Sequence, residues 1–247
     1  MLTEYMLKFD EGFKIYPIEV EAYYYEENFK DECVHQNELQ KNRFGQLYFH
    51  RAGKRKDHSF LFDGGGIDIC LSDDETFYLG FLIRSAWINN EDTPVCGPGR
   101  LTKNIVRHIC NDDTINKITE KAKVDVNKIE DRTNIVVPAS EDKRKKDSII
   151  FNATRFGISP NKNFASCKLR SLIELKEPKH PYKDKEKVVL SYMEDNIDDI
   201  VKDYSEERIR NIVTGLLGYP SKDVIEKFKK KQIEFSSTGN NSYYDYK

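Results

Sequence analysis

Residues 18 to 23 read Ile-Glu-Val-Glu-Ala-Tyr, and this run is the most informative stretch of the sequence for the fold. Apolar residues alternate with acids, which is typical of a half-buried strand. Side chains two positions apart share a face of a strand, so we expect Glu19, Glu21 and Tyr23 on one side. An acid beside an aromatic on such a strand costs free energy unless the acid has a partner or a chemical task. The run predicts a candidate site; the alternative is an exposed strand face with ordinary surface acids.

Strand patterns continue on both sides of this run. β-Branched and aromatic residues, bounded by Gly, Asp and Asn, predict strands at residues 14–25, 46–51, 59–63, 67–71, 76–86, 134–137, 148–152 and 168–175. After Gly97-Pro98-Gly99 the apolar residues recur at spacings of three and four, which indicates a helix. Residues 113–130 contain one or two further short helices. These elements together predict an α+β fold class.

The C-terminal quarter of the chain has a different pattern. The segment Pro178-Lys179-His180-Pro181 breaks regular structure and marks a boundary. Beyond it, three amphipathic helices are predicted at residues 186–202, 205–217 and 221–234, with Gly218 placed to end the second and Ser221 to begin the third. The expected organisation is a domain of residues 1–178, a helical extension of residues 179–235 and a disordered tail of residues 236–247.

Composition limits the class of protein. Charged residues make up 33% of the 247 residues and the mean hydropathy is -0.71, with no run approaching the roughly 18 apolar residues of a membrane span. The N-terminus shows no basic leader followed by an apolar run, so we expect a cytoplasmic protein without a membrane partner. Five cysteines, an odd number without C-x-x-C spacing, fit a reducing compartment.

Two pairs of residues could supply ligands to a zinc site, namely Cys33-x-His35 and His108-x-Cys110. Their single intervening residue is tighter than the usual two to four, so neither a metal nor another cofactor is predicted.

Charge is distributed unevenly along the chain, although the net charge is only -2. Residues 1–40 hold ten acids and three lysines, whereas residues 101–170 hold fifteen Lys or Arg and nine Asp or Glu. A connector at residues 51–58 is basic and rich in turn formers, which predicts a hairpin tip or a surface loop. Such basic segments can face phosphate on a globally acidic protein, or they can simply be solvated.

Six segments, taken in chain order, resemble the alkyladenine (methylpurine) DNA glycosylase family. They are residues 18–23, Gly45-Gln46-Leu47-Tyr48, Ile67-Asp68-Ile69, Leu82-Ile83-Arg84-Ser85-Ala86, Gly97-Pro98-Gly99-Arg100-Leu101 and Ala153-Thr154-Arg155-Phe156-Gly157-Ile158. The family carries V-E-T-E-A-Y, G-x-L-Y, an Asn in a short apolar strand, L-I-R-A, G-P-G-K-L and T-x-R-I-G-I in the same order. The resemblance covers about residues 15 to 175. It implies one mixed domain with a curved antiparallel β core flanked by helices.

The resemblance also implies an activity, the excision of alkylated or deaminated purines that have been flipped out of duplex DNA. A carboxylate can activate the attacking water, and an aromatic face can hold the base. Glu21 matches the family's general base, Tyr23 the stacking aromatic, and Arg84 the arginine that helps to fix the water and a phosphate. The alternative for Arg84 is a salt bridge to an N-terminal acid. His35 and His50 take the places of a base-contacting histidine and a second pocket aromatic.

Two departures from the family's pattern stand out. Asp68 occupies the position of an asparagine that guards the base pocket, and a carboxylate there would repel anionic DNA. The family's wedge tyrosine has no counterpart in the longer, basic hairpin of residues 51–66, where Phe60 or Phe62 is either a replacement wedge or a core residue. The residues predicted to contact DNA are Lys54, Arg55, Lys56, Phe60, Phe62, Arg100 and Lys103.

The resemblance therefore implies a monomeric base-excision enzyme that acts on double-stranded DNA with a damaged purine, associated with the nucleoid in a bacterium. Two alternatives remain. One is a glycosylase-fold nucleic-acid-binding protein with altered catalysis, which the two departures favour. The other is a hydrolase of a different N-glycoside, such as a free nucleoside or modified RNA.

Overall fold

The computed structural model describes residues 2–10, 12–55, 60–61, 64–89, 91, 93–110, 126–139, 149–173, 184–197 and 205–237. The chain forms two compact units, the first made of Met1–Ile150 and Thr154–Ile173, the second of Phe151–Ala153 and Glu174–Lys247. The expected boundary at residues 178 and 179 lies outside the described residues. Of the expected tail of residues 236–247, Ser236 and Ser237 instead belong to the last helix, and residues 238–247 lie outside the described residues.

The described strands of the first unit are β1 (Tyr5–Asp10), β2 (Phe13–Tyr25), β3 (Leu47–Phe49), β4 (Ile67–Cys70), β5 (Tyr78–Ile88), β6 (Val95–Cys96), β7 (Val136–Pro138) and β9 (Arg170–Leu172). They form a curled antiparallel sheet in the order β3-β4-β5-β2-β1-β7, with β6 against β5 and β9 against β2. The described helices of this unit are α1 (Pro98–Cys110) and α2 (Asn127–Glu130), with a 3-10 turn at Glu38–Gln40. The α+β fold class is thus confirmed.

One face of this sheet is apolar and carries the hydrophobic core. Residues at alternate positions of β3, β4 and β5 pack there against the buried side of α1. The core includes Leu47, Phe49, Ile67, Ile69, Ile83, Leu101, Ile105 and Val106. Burying these side chains supplies most of the stabilising free energy of the unit, since each contributes roughly 1.5 to 3 kcal/mol.

The opposite face of the same strands carries polar groups. Tyr48 on β3 pairs with Asp68 on β4, Asp68 with Leu82 on β5, Leu82 with Glu21 on β2, and Glu21 with Arg170 on β9. Residues in register across a sheet point to the same side, so these five form one row across five strands. We call them the central row. All five are buried, and only Leu82 is aliphatic.

Two β-bulges lie beside the central row, one on each strand of the β2–β5 pair. Pro17 pairs with Ala86, Glu19 with Ser85 and Val20 with Ile83, so Ile18 and Arg84 are each an extra residue. The register is the same before and after this double irregularity. A bulge changes the direction of a side chain, and here it frees Arg84 to reach two acids of β2.

In the described part of the second unit, β8 (Phe151–Ala153) packs with three helices, α3 (Lys185–Asp195), α4 (Glu206–Leu217) and α5 (Lys222–Ser237). The predicted helix signals are confirmed. Gly218 ends α4 in the left-handed conformation at φ 83°, and the Ser221 hydroxyl accepts from the Val224 N–H at the start of α5. None of the helices in the described ranges is long and apolar enough to cross a membrane.

Some strands differ from the predicted ones. Strands β1 and β6 were not predicted, although β1 pairs along the first half of β2. Of the predicted strand 59–63 only residues 60 and 61 are described, and Phe60 forms an isolated bridge with Arg51. Of the predicted helical segment 113–130, the described part is residues 126–130, which contains α2.

Candidate active site

The Glu21 carboxylate is the centre of the polar face and is fully buried. Its Oε1 accepts a hydrogen bond of 2.6 Å from the backbone N–H of Phe156. Its Oε2 accepts from the Tyr23 hydroxyl at 2.9 Å and from Arg84 Nη1 at 3.2 Å. An ionised carboxylate offers about four acceptor positions, so these three donors leave one.

Arg84 lies between Glu21 and Glu19. Its Nε donates to Glu19 Oε1 at 3.1 Å, and Glu19 also accepts from Arg170 at 2.7 Å and from the Ser85 hydroxyl at 2.5 Å. The Arg84 guanidinium stacks on the Phe156 ring, 5.1 Å from its centroid. Arg84 therefore makes a salt bridge to an N-terminal acid, Glu19, and also contacts Glu21.

Tyr23 is held from two sides. Its hydroxyl is fixed on Glu21, and the Arg155 guanidinium covers one ring face at 4.7 Å from the centroid. Burial and the negative charge of Glu21 raise the pKa of Tyr23, so the side chain remains a phenol and a donor at neutral pH. Arg155 in turn makes a bidentate ion pair with Asp31, at 2.5 and 3.1 Å, with both side chains buried. One ring face of Tyr23 is therefore already covered.

Asp68 lies on β4, between β3 and β5. Its Oδ1 is 2.8 Å from His50 Nε2, and its Oδ2 accepts from the Gln40 side-chain amide at 3.1 Å. Asp68 and Glu21 are both in register with Leu82, so their backbones are two strand spacings apart, about 10 Å. Part of the rise in the pKa of Tyr23 comes from the negative charge of Asp68. The two carboxylates therefore act on one region of the face.

Gly80 allows Asp68 to lean toward Tyr23. It pairs with Tyr23 on β2 and with Cys70 on β4, so it lies on the polar face. A Cβ at this position would lie 3.3 Å from the Asp68 Cβ and 3.4 Å from its Oδ2. The lack of a side chain at Gly80 therefore leaves room for the Asp68 carboxylate.

His35 completes the group next to Asp68. Its ring centroid is 4.1 Å from that of His50, and its Nδ1 is 3.3 Å from the Tyr48 hydroxyl. That hydroxyl accepts from the Arg51 N–H at 3.1 Å, which leaves its own proton to be donated to His35 Nδ1. Burial, with a smaller effect of His50, lowers the pKa of His35 to about 4. The imidazole is therefore neutral at pH 7.

The approach to the two buried carboxylates is lined by partly exposed side chains. Tyr23, His35, His50 and Arg84 are each partly exposed, whereas Glu21 and Asp68 are not. A ligand that reaches this face meets the rings and the guanidinium first. The structure thus brings the predicted catalytic and base-binding residues together on one face. Glu21 and Asp68 are buried beneath the partly exposed side chains.

The basic hairpin is anchored by a buried side chain. The Asn37 amide donates to the backbone carbonyls of Gly53 and Arg55 at 2.7 and 3.0 Å, and Asn37 is fully buried. Lys54 and Arg55 themselves are exposed. The predicted contact residues Lys56 and Phe62 lie outside the described residues.

Phe60 is a correction to the predicted set of DNA-contacting residues. It is 7% exposed, belongs to the hydrophobic core and packs edge-on against Phe49 at 6.1 Å. A side chain buried in this way does not offer a wedge to a duplex, and the alternative of a core residue describes it. Its neighbour Leu61 is partly exposed instead.

Arg100 and Lys103 lie on the first turns of α1, where Arg100 is exposed and Lys103 is half-buried. The backbone of Gly65 is 3.4 Å from where a Cβ of Gly99 would be, so the start of α1 lies against the base of the hairpin. The N–H of Gly97 donates to the Arg84 carbonyl at 2.8 Å. This bond connects the helix start to the Arg84 bulge.

Sequence reasoning assigned no site role to several residues of this face. Arg155 and Phe156 were quoted only as part of the segment 153–158, and Arg170 only as part of a core strand. A signal existed for Arg170, since a cation at an inward position of a strand is unusual. Asp31, in contrast, is one of ten acids in the first 40 residues, and the sequence gives no sign that it is buried.

Among the described residues, no group of three or more His, Cys, Asp or Glu side chains is arranged to hold a metal ion. His108 is stacked on Phe13 at 3.7 Å, whereas His35 is next to His50. Comparison with known proteins adds no identification: no family model matches the chain, and no match was found among curated proteins.

Proposed function

We propose that this protein is a DNA glycosylase that excises alkylated or deaminated purines by hydrolysis of the N-glycosidic bond. One observation carries the proposal. A buried carboxylate, Glu21, lies directly beside an aromatic side chain and a guanidinium, Tyr23 and Arg84, on paired strands of one sheet. Two of the six segments that resemble the alkyladenine glycosylases supply this cluster, and a third supplies Arg155 and Phe156, which contact it.

Glu21 would activate the water. Phe156, Tyr23 and Arg84 occupy three of its acceptor positions, and the fourth is suited to a water that donates one hydrogen to the carboxylate. The water oxygen then attacks C1′ of the sugar and its proton passes to Glu21, while the bonding pair leaves with the base. The carboxylate also stabilises the positive character that develops on the sugar.

The flipped base would lie against the face of the Tyr23 ring that Arg155 does not cover. Because Arg155 covers the other face, only one side of the ring can take a planar ligand. The hydroxyl bond to Glu21 fixes the ring plane, so the stacked base is held at a set position relative to the carboxylate. His50 and His35 would contact the edge of the base.

Excision from a defined lesion tests the proposal. Duplexes with a single hypoxanthine or ethenoadenine, and a methylated duplex as the source of 3-methyladenine, are incubated with excess enzyme, and abasic sites or free bases are measured. We expect release by the native protein and a loss of about a thousandfold in Glu21→Gln, the range for a general base. Glu19→Gln is the matched control. It also removes a buried carboxylate bound to Arg84, and we expect a loss of no more than about tenfold.

A nucleic-acid-binding protein with altered catalysis is the second candidate. The observation that favours it is the complete burial of Glu21, whose carboxylate reaches solvent only if neighbouring side chains move. Tight binding of lesion duplexes by native protein and Glu21→Gln alike, without release of any base, would support this candidate and overturn the first.

A further inference from the structure

A short turn at residues 37–40 connects the basic hairpin to the base pocket through buried hydrogen bonds. In this turn the Asn37 N–H donates to Gln40 Oε1 at 3.1 Å. Because the amide oxygen of Gln40 accepts there, its NH₂ group faces the other way and donates to Asp68 Oδ2, also at 3.1 Å. All three residues are buried. Gln40 therefore joins the turn to the carboxylate of Asp68.

The same turn is bound to the hairpin. The Asn37 amide donates to the carbonyls of Gly53 and Arg55, at 2.7 and 3.0 Å. The Glu38 N–H donates to the carbonyl of Lys54, which lies between them, at 2.9 Å. Two neighbouring residues of the turn thus hold three consecutive hairpin carbonyls, at the place where the Lys54 and Arg55 side chains are exposed. A movement of the hairpin backbone would therefore move the turn with it.

At its other end this path of hydrogen bonds reaches the base pocket. Asp68 Oδ1 is 2.8 Å from His50 Nε2, and His50 is partly exposed beside His35. Hydrogen bonds in a low-dielectric interior are strong, and a buried group that loses its partner is costly. The orientation of the Asp68 carboxylate, and with it that of the His50 ring, therefore depends on the Gln40 amide.

We propose that Gln40 is a positioning residue that couples phosphate contact at the hairpin to the orientation of His50 in the base pocket. The inference rests on the proposed function and adds a form of regulation to the same site. A duplex backbone held by Lys54 and Arg55 fixes the hairpin and, through it, the turn. Gln40 then holds Asp68, which sets the His50 ring at the edge of the flipped base. The seated duplex thus completes the pocket.

A double-mutant cycle tests this coupling. One change, Lys54→Ala with Arg55→Ala, removes the hairpin cations and leaves the backbone carbonyls in place. The other, Gln40→Met, keeps the length of the side chain and removes both of its hydrogen bonds. Single-turnover release of hypoxanthine is measured at saturating enzyme, so that weaker binding does not itself slow the reaction. We expect losses of about fivefold and about tenfold for the separate changes, and about tenfold, not the product of about fiftyfold, for the combination.

Gln46→Met is the matched control. Gln46 precedes β3 and is partly exposed, and the path described above does not include it. We expect its rate of release to stay within about twofold of the native rate, and its combination with the hairpin change to show only the loss of about fivefold.

The ring ¹⁵N signals of His50, assigned by comparison with His50→Gln, give a readout that does not require catalysis. In Gln40→Met these signals should shift, because Asp68 has lost the donor that orients it, whereas in Gln46→Met they should not. A merely structural role of Gln40 would lower stability and leave the signals of the folded protein unchanged. An undamaged duplex, which meets the hairpin without a damaged base to flip, should shift the signals in the native protein but not in the variant without hairpin cations.

The outcomes separate the inference from the proposed function. Release of no damaged base by the native protein would overturn the proposed function, and the ring signals in Gln40→Met then decide the inference. Losses that multiply in the combined variant, or His50 signals that Gln40→Met leaves unchanged, would overturn the inference while the proposed function stands. If Gln40→Met does not fold, the undamaged duplex decides. A response of the native His50 signals that the hairpin change abolishes supports the inference, and any other result overturns it.

Discussion

The two faces of the β3-β4-β5-β2 sheet are built from alternate residues of the same strands, yet different interactions hold them. On one face Leu47, Ile69 and Ile83 are buried in hydrocarbon. On the other, Tyr48, Asp68 and Glu21 are equally buried but bound to charged and polar partners. Apolar burial is favourable by itself, whereas a buried ion pair roughly breaks even against an apolar pair of similar volume. Stability therefore explains the first face, and the second requires a reason in binding or chemistry.

The largest expected effect comes from breaking one ion pair on the polar face. Arg155→Met leaves Asp31 as an uncompensated buried charge, so we expect a loss of about 3 to 5 kcal/mol in urea denaturation. The double variant Arg155→Met with Asp31→Leu should regain most of this loss, because the charge is gone. Its lesion binding should stay impaired, since Tyr23 loses its cover. A double variant as unstable as the single one would mean that the pair is needed for folding itself.

A substitution on the apolar face should lower stability without affecting how the protein treats damaged bases. Ile69→Ala removes buried methyl groups from the core, and we expect a loss of about 3 kcal/mol, with the selectivity between damaged bases unchanged. The control is Phe44→Ala, at a side chain that is 68% exposed, where the change should stay within about 0.5 kcal/mol. An altered selectivity in Ile69→Ala would show that the two faces are not separable.

A pH titration of stability reports on His35. Unfolded chains bind a proton at this residue below about pH 6.5, whereas the folded protein does so only near pH 4. As the pH falls through this window the unfolded state gains stability, so the native protein should lose up to about 2 kcal/mol, allowing for partial exposure of the ring. In His35→Gln this part of the loss should vanish. Parallel curves for the two proteins between pH 6.5 and 4 would contradict the lowered pKa.

A smaller effect is expected at Gly80. In Gly80→Ala the new Cβ must displace the Asp68 carboxylate by a few tenths of an ångström, so we expect excision of a damaged purine to slow severalfold, at a stability cost of about 1 kcal/mol. Gly215→Ala in α4 is the matched control. Nothing lies within 4 Å of its Cβ, and alanine should stabilise that helix by up to about 1 kcal/mol. An unchanged excision rate in Gly80→Ala would mean that the position of Asp68 is not critical.

The smallest effect concerns the exposed cations of the hairpin. Replacing Lys54 and Arg55 by alanine should flatten the plot of log affinity against log salt by at most about 2, because each lost phosphate contact removes about 0.9 from the slope. The control replaces Lys30 and Lys162, which are also exposed but lie in other segments of the first unit. If both pairs flatten the plot equally, the hairpin has no special role in DNA contact.

The local parts of the fold could be predicted from sequence. Alternation identified β2 and placed Glu21 and Tyr23 on one face, and single residues fixed the ends of α4 and α5, because strand periodicity and helix capping depend on neighbours in the chain. Strand β1 was missed although Leu7-Lys8-Phe9-Asp10 alternates, since a strand of six residues gives a weak signal and depends on pairing with β2.

The contacts that define the site were harder to predict because they join distant residues. The Arg155–Asp31 pair spans 124 positions, and neither side chain has a neighbour in sequence that identifies it as buried. Phe60 was also ambiguous, since one aromatic in a basic hairpin fits both a wedge and a core position. Asp68 could be located on its strand, but only the structure shows that its partners are His50 and the Gln40 amide.

The paired bulges at Ile18 and Arg84 restrict which insertions and deletions β2 and β5 can accept. Deleting Ile18 alone would shift β2 by one position against β5 and turn the acids toward the core face. A second deletion, of Arg84, would restore the register, but it would remove the guanidinium that connects Glu19 and Glu21. Among descendants of a common ancestor, insertions and deletions in these two strands should therefore occur together or not at all, and lineages that lost both should also have lost the arginine.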